Sequence, residues 1–266
     1  MSSELFQQRF AGIERLYGRQ ATARFRQAHV AVAGIGGVGS WAAEALARSG
    51  VCRITLIDLD EVCVSNTNRQ LHALDGQYGR AKVEAVAERL RGINPDLEVI
   101  PVLSFVTARN MEELIHPELD GVIDAIDSVK HKAALLAHCQ RRKIPVICAG
   151  GAGGQTDPTQ ITTADLSRTT QDPLLAKVRN LLRREYGFSR NPKRRFGIEA
   201  VYSLEQLTYP APDGEVCHQK PQDDGPARLD CASGFGAASF VTGTFGFVAV
   251  SRLLRKLARQ STNVGR

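Results

Sequence analysis

The feature that most constrains this chain is the run HVAVAGIGGVGSWAAEALARSG, from His29 to Gly50. An apolar β-type segment, His29 to Ala33, leads into Gly34-x-Gly36-x-x-Gly39, and a stretch of good helix formers, Ser40 to Arg48, follows. Strand, glycine turn and helix in that order set the first free N–H groups of a helix at the end of a strand, where phosphate oxygens bind. Gly34 permits the tight turn, Gly36 the close approach of phosphates, and Gly39 the close packing of helix on strand. By itself the pattern specifies a nucleotide and leaves open whether it is a dinucleotide or ATP.

Cys52 to Ile57 reads as a second strand that ends in Asp58-Leu59-Asp60. Asp58 stands where a carboxylate accepts ribose hydroxyl hydrogen bonds, which still suits an NAD site. The next segment does not belong to a plain dinucleotide fold. Ser65-Asn66-Thr67-Asn68-Arg69-Gln70 packs polar and cationic groups just past the strand, and Gly79-Arg80-Ala81-Lys82 opens a helix running to about Gly92. Arg69 and Lys82 together beside a glycine turn look like charge compensation for a triphosphate. Leu97–Leu103 is a third strand, followed by a helical segment near Ala108–Ile115 and a fourth strand, Gly121–Ala125. Asp127 then stands at a strand's carboxyl end, suited to Mg²⁺ through oxygen or to capping the helix from Ser128 to Arg142. Ile144–Ala149 is a fifth strand, and Gly150-Gly151-Ala152-Gly153-Gly154 a second glycine loop. This alternation predicts an α/β fold with a doubly wound, mainly parallel, Rossmann-like sheet.

After Thr156 the alternation stops. Asp172 and Pro173 form the N-cap and first turn of a helix reaching about Tyr186. Seven cations fall between Arg179 and Arg195, among them Arg183, Arg184, Lys193, Arg194 and Arg195, with Tyr186, Phe188 and Phe196 interleaved. Such a segment suits phosphate contacts to RNA with aromatics for stacking, against the plainer reading of a solvated helix face and loop. The net charge of +6 is compatible with a polyanionic partner without requiring one. Tyr202 to Gly225 reads as a long crossing loop, after which Cys231 precedes an apolar run. A thiol near a helix N-terminus has a lowered pKa, which makes Cys231 a candidate nucleophile beside the plainer reading of an inert cysteine.

Ala232 to Val250 carries no charge and is about the length of a bilayer span. Its glycines, serines and threonines favour a buried helix closing the domain; membrane insertion or association of 232–250 is the lesser reading. The six cysteines form no C-x-x-C pair, and the first 17 residues are charged and amphipathic, unlike a secretory leader. A cytoplasmic protein with free thiols is expected. The whole reads as one domain: an N-terminal helical arm over 1–28, a nucleotide-binding core over 29–155, and a substrate-contacting region with the crossover loop and last helix over 156–266.

The segments GIGGVGS, LIDLDEV, SNTNRQ, GRAKVEAV, INP and DAIDS together resemble the adenylating family of ubiquitin-activating enzymes and their bacterial relatives for thiamine and molybdopterin synthesis. Beyond residue 150, AGGAGGQTDPTQI, QDPLLAKVR, DCASGFGAA and TFGFVAVS more narrowly resemble a bacterial branch that dehydrates threonylcarbamoyladenosine in tRNA. The resemblance implies that ATP sits on Gly34, Gly36, Gly37 and Gly39, with Asp58 and Asp60 at the ribose end and Asn66, Arg69, Gln70 and Lys82 around the phosphates. It implies Asp127 as a Mg²⁺ ligand, Arg69, Lys82 and Asp127 as catalytic groups, and Cys231 as an acyl acceptor. It also implies a homodimer that lends an arginine from the arm, with Arg9 and Arg15 both candidates because Gly12 occupies the usual place. A sulfur-relay protein partner is a further expectation. The alternative is an adenylyltransferase for the C-terminus of a sulfur-carrier protein, against which the missing zinc cysteines count. An NAD oxidoreductase leaves Arg69, Lys82 and Asp127 without a role.

Overall fold

The computed structural model describes residues 3–211, 213–218 and 235–260. Two helices open the chain, α1 (Ser3–Tyr17) and α2 (Arg19–Gln27), followed by β1 (His29–Ala33), α3 (Gly37–Arg48) and β2 (Arg53–Asp58). Then come α4 (Lys82–Ile93), β3 (Glu98–Leu103), the single turn α5 (Met111–Leu114), β4 (Gly121–Asp124), α6 (Val129–Arg142) and β5 (Val146–Ala149). The remainder holds β6 (Ile161–Asp165), α7 (Pro173–Glu185), β7 (Glu199–Ser203), the small pair β8 (Tyr209–Pro210) and β9 (Val216–Cys217), and α8 (Ser239–Gln260).

Among the described residues seven strands form one sheet in the order β3-β2-β1-β4-β5-β7-β6, all parallel except β6, which runs antiparallel to β7. All five β1 residues are buried, as expected of a parallel strand covered on both faces. The two-residue period splits it: Val30 and Val32 join the core formed with α2, α3 and α8, and Ala31 and Ala33 join the core formed with α6 and α7. The chain steps from β1 outward to β2 and β3, then returns to the other side of β1 as β4. The crevice between the carboxyl ends of β1 and β4 is therefore the switch point where doubly wound sheets bind ligands.

The Rossmann-like class expected from the sequence holds, with two differences. The alternation does not stop after Thr156: β7 extends the parallel sheet beside β5, so Tyr202 and Ser203 are strand residues and not the start of a loop. β6 is half-buried along its length and carries Thr162, Thr163 and Asp165, a polar edge without an apolar period to reveal it. Of the apolar run, residues 239–250 lie in a helix that begins at Ser239 and continues past the following cations to Gln260; residues 232–234 lie outside the described residues. Arg252 and Lys256 on its last turns both pair with Glu199 of β7. No helix among the described residues is long and apolar enough to cross a membrane.

The N-terminal segment packs on the domain and is not a free arm. Phe6 and Phe10 are buried where Gly50, at φ +81°, leaves room for their rings. Arg9 donates from Nη1 to the Ile93 carbonyl at 2.7 Å, while Arg15 is exposed.

Helix α8 lies so close to α3 that a Cβ on Gly246 would stand 2.7 Å from the Val38 carbonyl oxygen and 2.9 Å from the Ala42 nitrogen. Backbone cannot yield as a side chain does, so Gly246→Ala is expected to cost about 2 kcal/mol or more. Gly12, in an open stretch of α1 with nothing within 4 Å of its Cβ position, is the control. Gly12→Ala should stabilise by about 0.5–1 kcal/mol through helix propensity. Denaturant midpoints shifting in the same direction for both would contradict this packing.

Candidate functional site

The glycine turn is held by contacts that exclude any side chain. Gly34 has φ +89°, and a Cβ there would lie 2.7 Å from the Ala125 carbonyl oxygen past the end of β4. A Cβ on Gly39 would sit 1.7 Å from the Gly34 carbonyl oxygen. The turn thus presses the start of α3 between the ends of β1 and β4. The N-cap of α3 is Gly36, and no side chain caps this helix end, so its first N–H groups face the crevice with the positive end of the helix dipole.

A cavity of about 700 Å³ opens at that point, lined by Gly34, Gly36 and Gly37, Asp58 and Asp60, Asn66, Arg69, Gln70, Lys82 and Asp127, among others. The sequence-predicted set is therefore brought together, with one exception. Gly39 is not among the lining residues; its place against Gly34 is packing, the part of its expected role that the geometry supports.

Each polar group is held. Asp58, at the end of β2, accepts from the Ile35 N–H at 2.6 Å and from the Asp60 N–H at 2.9 Å. Burial pushes its carboxyl above the usual carboxylate range, opposed by those N–H groups and by the charge of Lys82. Lys82 begins α4 with its side chain only 8% exposed, and its Nζ is 2.8 Å from the half-exposed Asp60 carboxylate, which aims the ammonium along the cavity wall. Asn66 ties its own turn, accepting from the Cys63 N–H at 3.0 Å. Arg69 donates from Nη1 to the Ser65 carbonyl and to Asn68 Oδ1, and its own carbonyl accepts from Trp41 Nε1 at 3.1 Å and Thr242 Oγ1 at 3.3 Å. The buried Gln70 Oε1 has no hydrogen-bond partner among the described residues. Asp127 is exposed and not engaged in capping: the N-cap of α6 is Ser128, without a side-chain cap.

Beneath this surface lies a feature that the sequence reading passed over. Lys132 and Asp124 are fully buried and 2.9 Å apart, and Lys132 also donates to the Ile126 carbonyl at 2.8 Å. The pair joins α6 to the end of β4 directly below Asp127. On the adjacent wall the Asp172 carboxylate caps α7 at Leu175 and also accepts from the Gly151 N–H at 2.9 Å, fixing the second glycine loop. Lys132 shares a helical face with Leu135, Leu136 and Cys139, all buried, and that spacing was the available signal. Phe105, Val106, His131, Leu174, Phe235 and Thr242 also line the cavity. They come from elements far apart in the chain, and no local pattern marks them.

The basic segment divides. Arg184, Arg190, Lys193, Arg194 and Arg195 are exposed, and Arg183 is half-buried with its guanidinium 5.4 Å from the Phe196 ring centroid. The expected aromatic stacking partners are not available to a base. Phe196 is 4% exposed within the core, and Tyr186 and Phe188 pack against the same cluster, because the turn after α7 folds back over β7. Cys231, the candidate nucleophile, lies outside the described residues.

The ThiF family profile matches residues 9–265 of the chain. Similar curated proteins include tRNA threonylcarbamoyladenosine dehydratase of Escherichia coli, 55% identical over 99% of this chain and 98% of that protein. The Haemophilus influenzae protein of the same name is 53% identical over 97% and 96%. A solved structure of E. coli tRNA N6-threonylcarbamoyladenosine dehydratase in complex with ATP is 49% identical, covers 100% of both chains and superposes with a TM-score of 0.88.

One buried group near the site sets a pH dependence. His72 is buried, neither ring nitrogen has a hydrogen-bond partner among the described residues, and burial together with the Lys82 charge lowers its pKa to about 4. The unfolded chain binds a proton there below about pH 6.5 and the folded chain does not. Stability from this group is thus complete above pH 6.5 and is lost as pH falls toward 4, by about 3 kcal/mol at the end of that window. Denaturant titrations across that window should show a shallower pH slope for His72→Leu than for the wild type. Parallel slopes would remove His72 as the cause.

Proposed function

The chain belongs to the ThiF family, and from that premise we infer that it catalyses the ATP-dependent dehydration of threonylcarbamoyladenosine in tRNA to the cyclic form. The observation that carries this reading is the convergence, in one cavity, of an uncapped helix N-terminus, two cationic side chains and the exposed Asp127 carboxylate. A nicotinamide dinucleotide also uses the helix N-terminus; the two cations and the carboxylate beside it are what a triphosphate with a divalent cation adds.

The residues fit ATP. Gly34, Gly36 and Gly37 leave the phosphates free access to backbone N–H groups, and Gln70 Nε2, 3.9 Å from the Cβ position of Gly36, is a further donor for them. Asp58 suits a ribose hydroxyl, Asn66 the phosphate side of the cavity, and the wall from Phe105 and Val106 an adenine ring. For Mg²⁺ the donor set also fits. The exposed Asp127 carboxylate at the cavity would hold Mg²⁺ beside the phosphates, and the ion, when bound, would neutralise charge on them.

In the reaction the threonyl carboxylate oxygen attacks the α-phosphorus of ATP, and the bond to the β-phosphate breaks to release pyrophosphate. Arg69, Lys82 and the N-terminus of α3 stabilise the charge that gathers on the phosphate oxygens. The carbamoyl nitrogen or oxygen then attacks the activated carbonyl carbon and AMP leaves, so that the substrate has lost water and ATP has carried it off. Cys231 is not needed for this sequence; as a thioester acceptor it would split the second step in two.

The enzyme acts in the cytoplasm as a homodimer. Arg15 is the arm arginine suited to reach a partner's phosphates, since Arg9 is spent on Ile93. Exposed Phe240 and Phe247 on α8 offer an apolar face to a second copy. The tRNA backbone runs along Arg183, Arg184, Lys193, Arg194 and Arg195, with residues 156–266 forming the substrate-contacting part of the single domain. A sulfur-relay protein partner remains part of the proposal only through the family.

Incubation of threonylcarbamoyl-modified tRNA with ATP, Mg²⁺ and the protein, read by mass spectrometry of the nucleosides, tests this directly. Loss of one water is expected with the wild type. Asp127→Ala and Lys82→Ala should each reduce the rate at least about a hundredfold, in line with the loss of one strong electrostatic contact in the transition state. Binding of tRNA should be unchanged in both. Activity that appeared only with a Gly-Gly-tailed carrier protein would instead support the sulfur-carrier alternative.

A further inference from the structure

A second cavity, of about 350 Å³, lies across a thin wall from the first and is lined by Gln171, Asp172, Pro173, Ala176, Arg179, Gln206, Leu207, Tyr209 and His218. Its size falls at the lower end of small-ligand sites. The wall between the cavities is about one residue thick at two places. On one side Asp172, which lines the second cavity, holds Gly151, which lines the first, through its N–H at 2.9 Å. On the other, the Tyr209 ring, lining the second cavity, rests 5.1 Å from the ring of Phe235, which lines the first. Gly154 keeps this second contact close: its N–H donates to the Gly236 carbonyl at 2.8 Å, and its own carbonyl accepts from the Thr208 N–H at 2.8 Å.

The lining chemistry is that of a nucleotide site. Tyr209 supplies an aromatic face, Gln171 and Gln206 supply amides that both donate and accept, and Arg179 supplies a cation. Arg179 donates to the Thr169 hydroxyl, and among the described residues no carboxylate lies within ion-pair distance of it. Burial and the neighbouring charge of Arg183 lower its pKa, opposed by the Asp172 carboxylate that lines the same cavity. Gln171 is held at φ +57°, a conformation uncommon for a residue other than glycine, at the rim of this cavity.

We propose that this second cavity is the nucleoside subsite: it takes the purine of the modified nucleotide, extruded from the anticodon loop, while the threonyl carboxylate reaches over the wall into the ATP cavity. In the substrate only a few bonds separate the adenine N6 from the carboxylate, a reach that suits two cavities separated by a wall this thin. Tyr209 stacks on the base, the amides of Gln171 and Gln206 read its edge, and Arg179 takes the adjoining phosphate. Enzymes acting on a base within folded nucleic acid use this arrangement because the reacting group is otherwise out of reach. The aromatic surface that the segment 179–195 lacks is thereby supplied by Tyr209.

The inference rests on the dehydratase reading, and one set of measurements separates the two. The KM and kcat for a modified anticodon stem-loop, and the Kd for ATP, are measured for the wild type, Tyr209→Ala, Tyr209→Phe and Gln206→Ala. Tyr209→Ala and Gln206→Ala are expected to raise KM for the stem-loop at least tenfold with kcat within about threefold of wild type. Tyr209→Phe should stay close to wild type, and ATP Kd should be unchanged throughout. Unchanged KM in Tyr209→Ala and Gln206→Ala, with the wild type turning over, overturns the subsite and leaves the reaction standing. ATP binding without turnover in the wild type overturns the reaction itself; free threonylcarbamoyladenosine is then titrated, and equal affinity for wild type and Tyr209→Ala overturns the subsite as well.

Discussion

The rest of this structure depends on the contact between the glycine turn and the end of β4. Gly34 approaches the Ala125 carbonyl, and Gly39 approaches Gly34, at distances no side chain could occupy. This close approach is what lets α3 begin at the switch point with its N–H groups uncapped. It also brings the Ile35 N–H onto Asp58, so one turn fixes both the N-terminus of α3 and the Asp58 carboxylate in the cavity. A bulkier residue at either glycine would push α3 off the sheet and separate those two groups.

Around that fixed point the charges are arranged in layers. Lys82 and Asp60 form a pair at the rim, where solvent and ligand can compete for it. Asp124 and Lys132 form a pair with no exposure at all, and burial raises the one carboxyl while the partner charges oppose it. A buried pair of this kind is weak as a source of stability but costly to break, so it acts as a clamp on the segment that displays Asp127. Asp172 does the same for the glycine loop on the adjacent wall. The site is thus supported from below by buried groups that do not line the cavity surface carrying Arg69, Lys82 and Asp127.

What the sequence disclosed follows from how far each feature reaches. The strand, glycine turn and helix from His29 to Arg48 are legible because local spacing and composition suffice to define them. Arg69, Lys82 and Asp127 are legible because each follows a strand end in a doubly wound order. β6 and β7 were hidden because a half-buried antiparallel edge lacks a run of apolar residues, and because Glu199 pairs with α8 rather than facing solvent. The aromatics of the basic segment were misassigned for a related reason. Phe196 looks like a stacking residue beside cations, and only its burial in the cluster with Leu175, Leu182 and Ile198 shows that it is core. The wall shared by the two cavities joins residues from four separate segments, which no linear pattern could bring together.

The central claim is that this cavity activates a substrate carboxylate at the α-phosphate of ATP. The measurement that tests it most directly uses tRNA whose threonyl carboxylate carries heavy oxygen, followed by mass spectrometry of the nucleotide released. Attack by the carboxylate leaves one of its oxygens on phosphorus when the ring closes, so AMP bearing a single heavy oxygen is predicted for each cyclised nucleoside. Unlabelled AMP, or cyclisation with release of ADP and phosphate, would contradict the account.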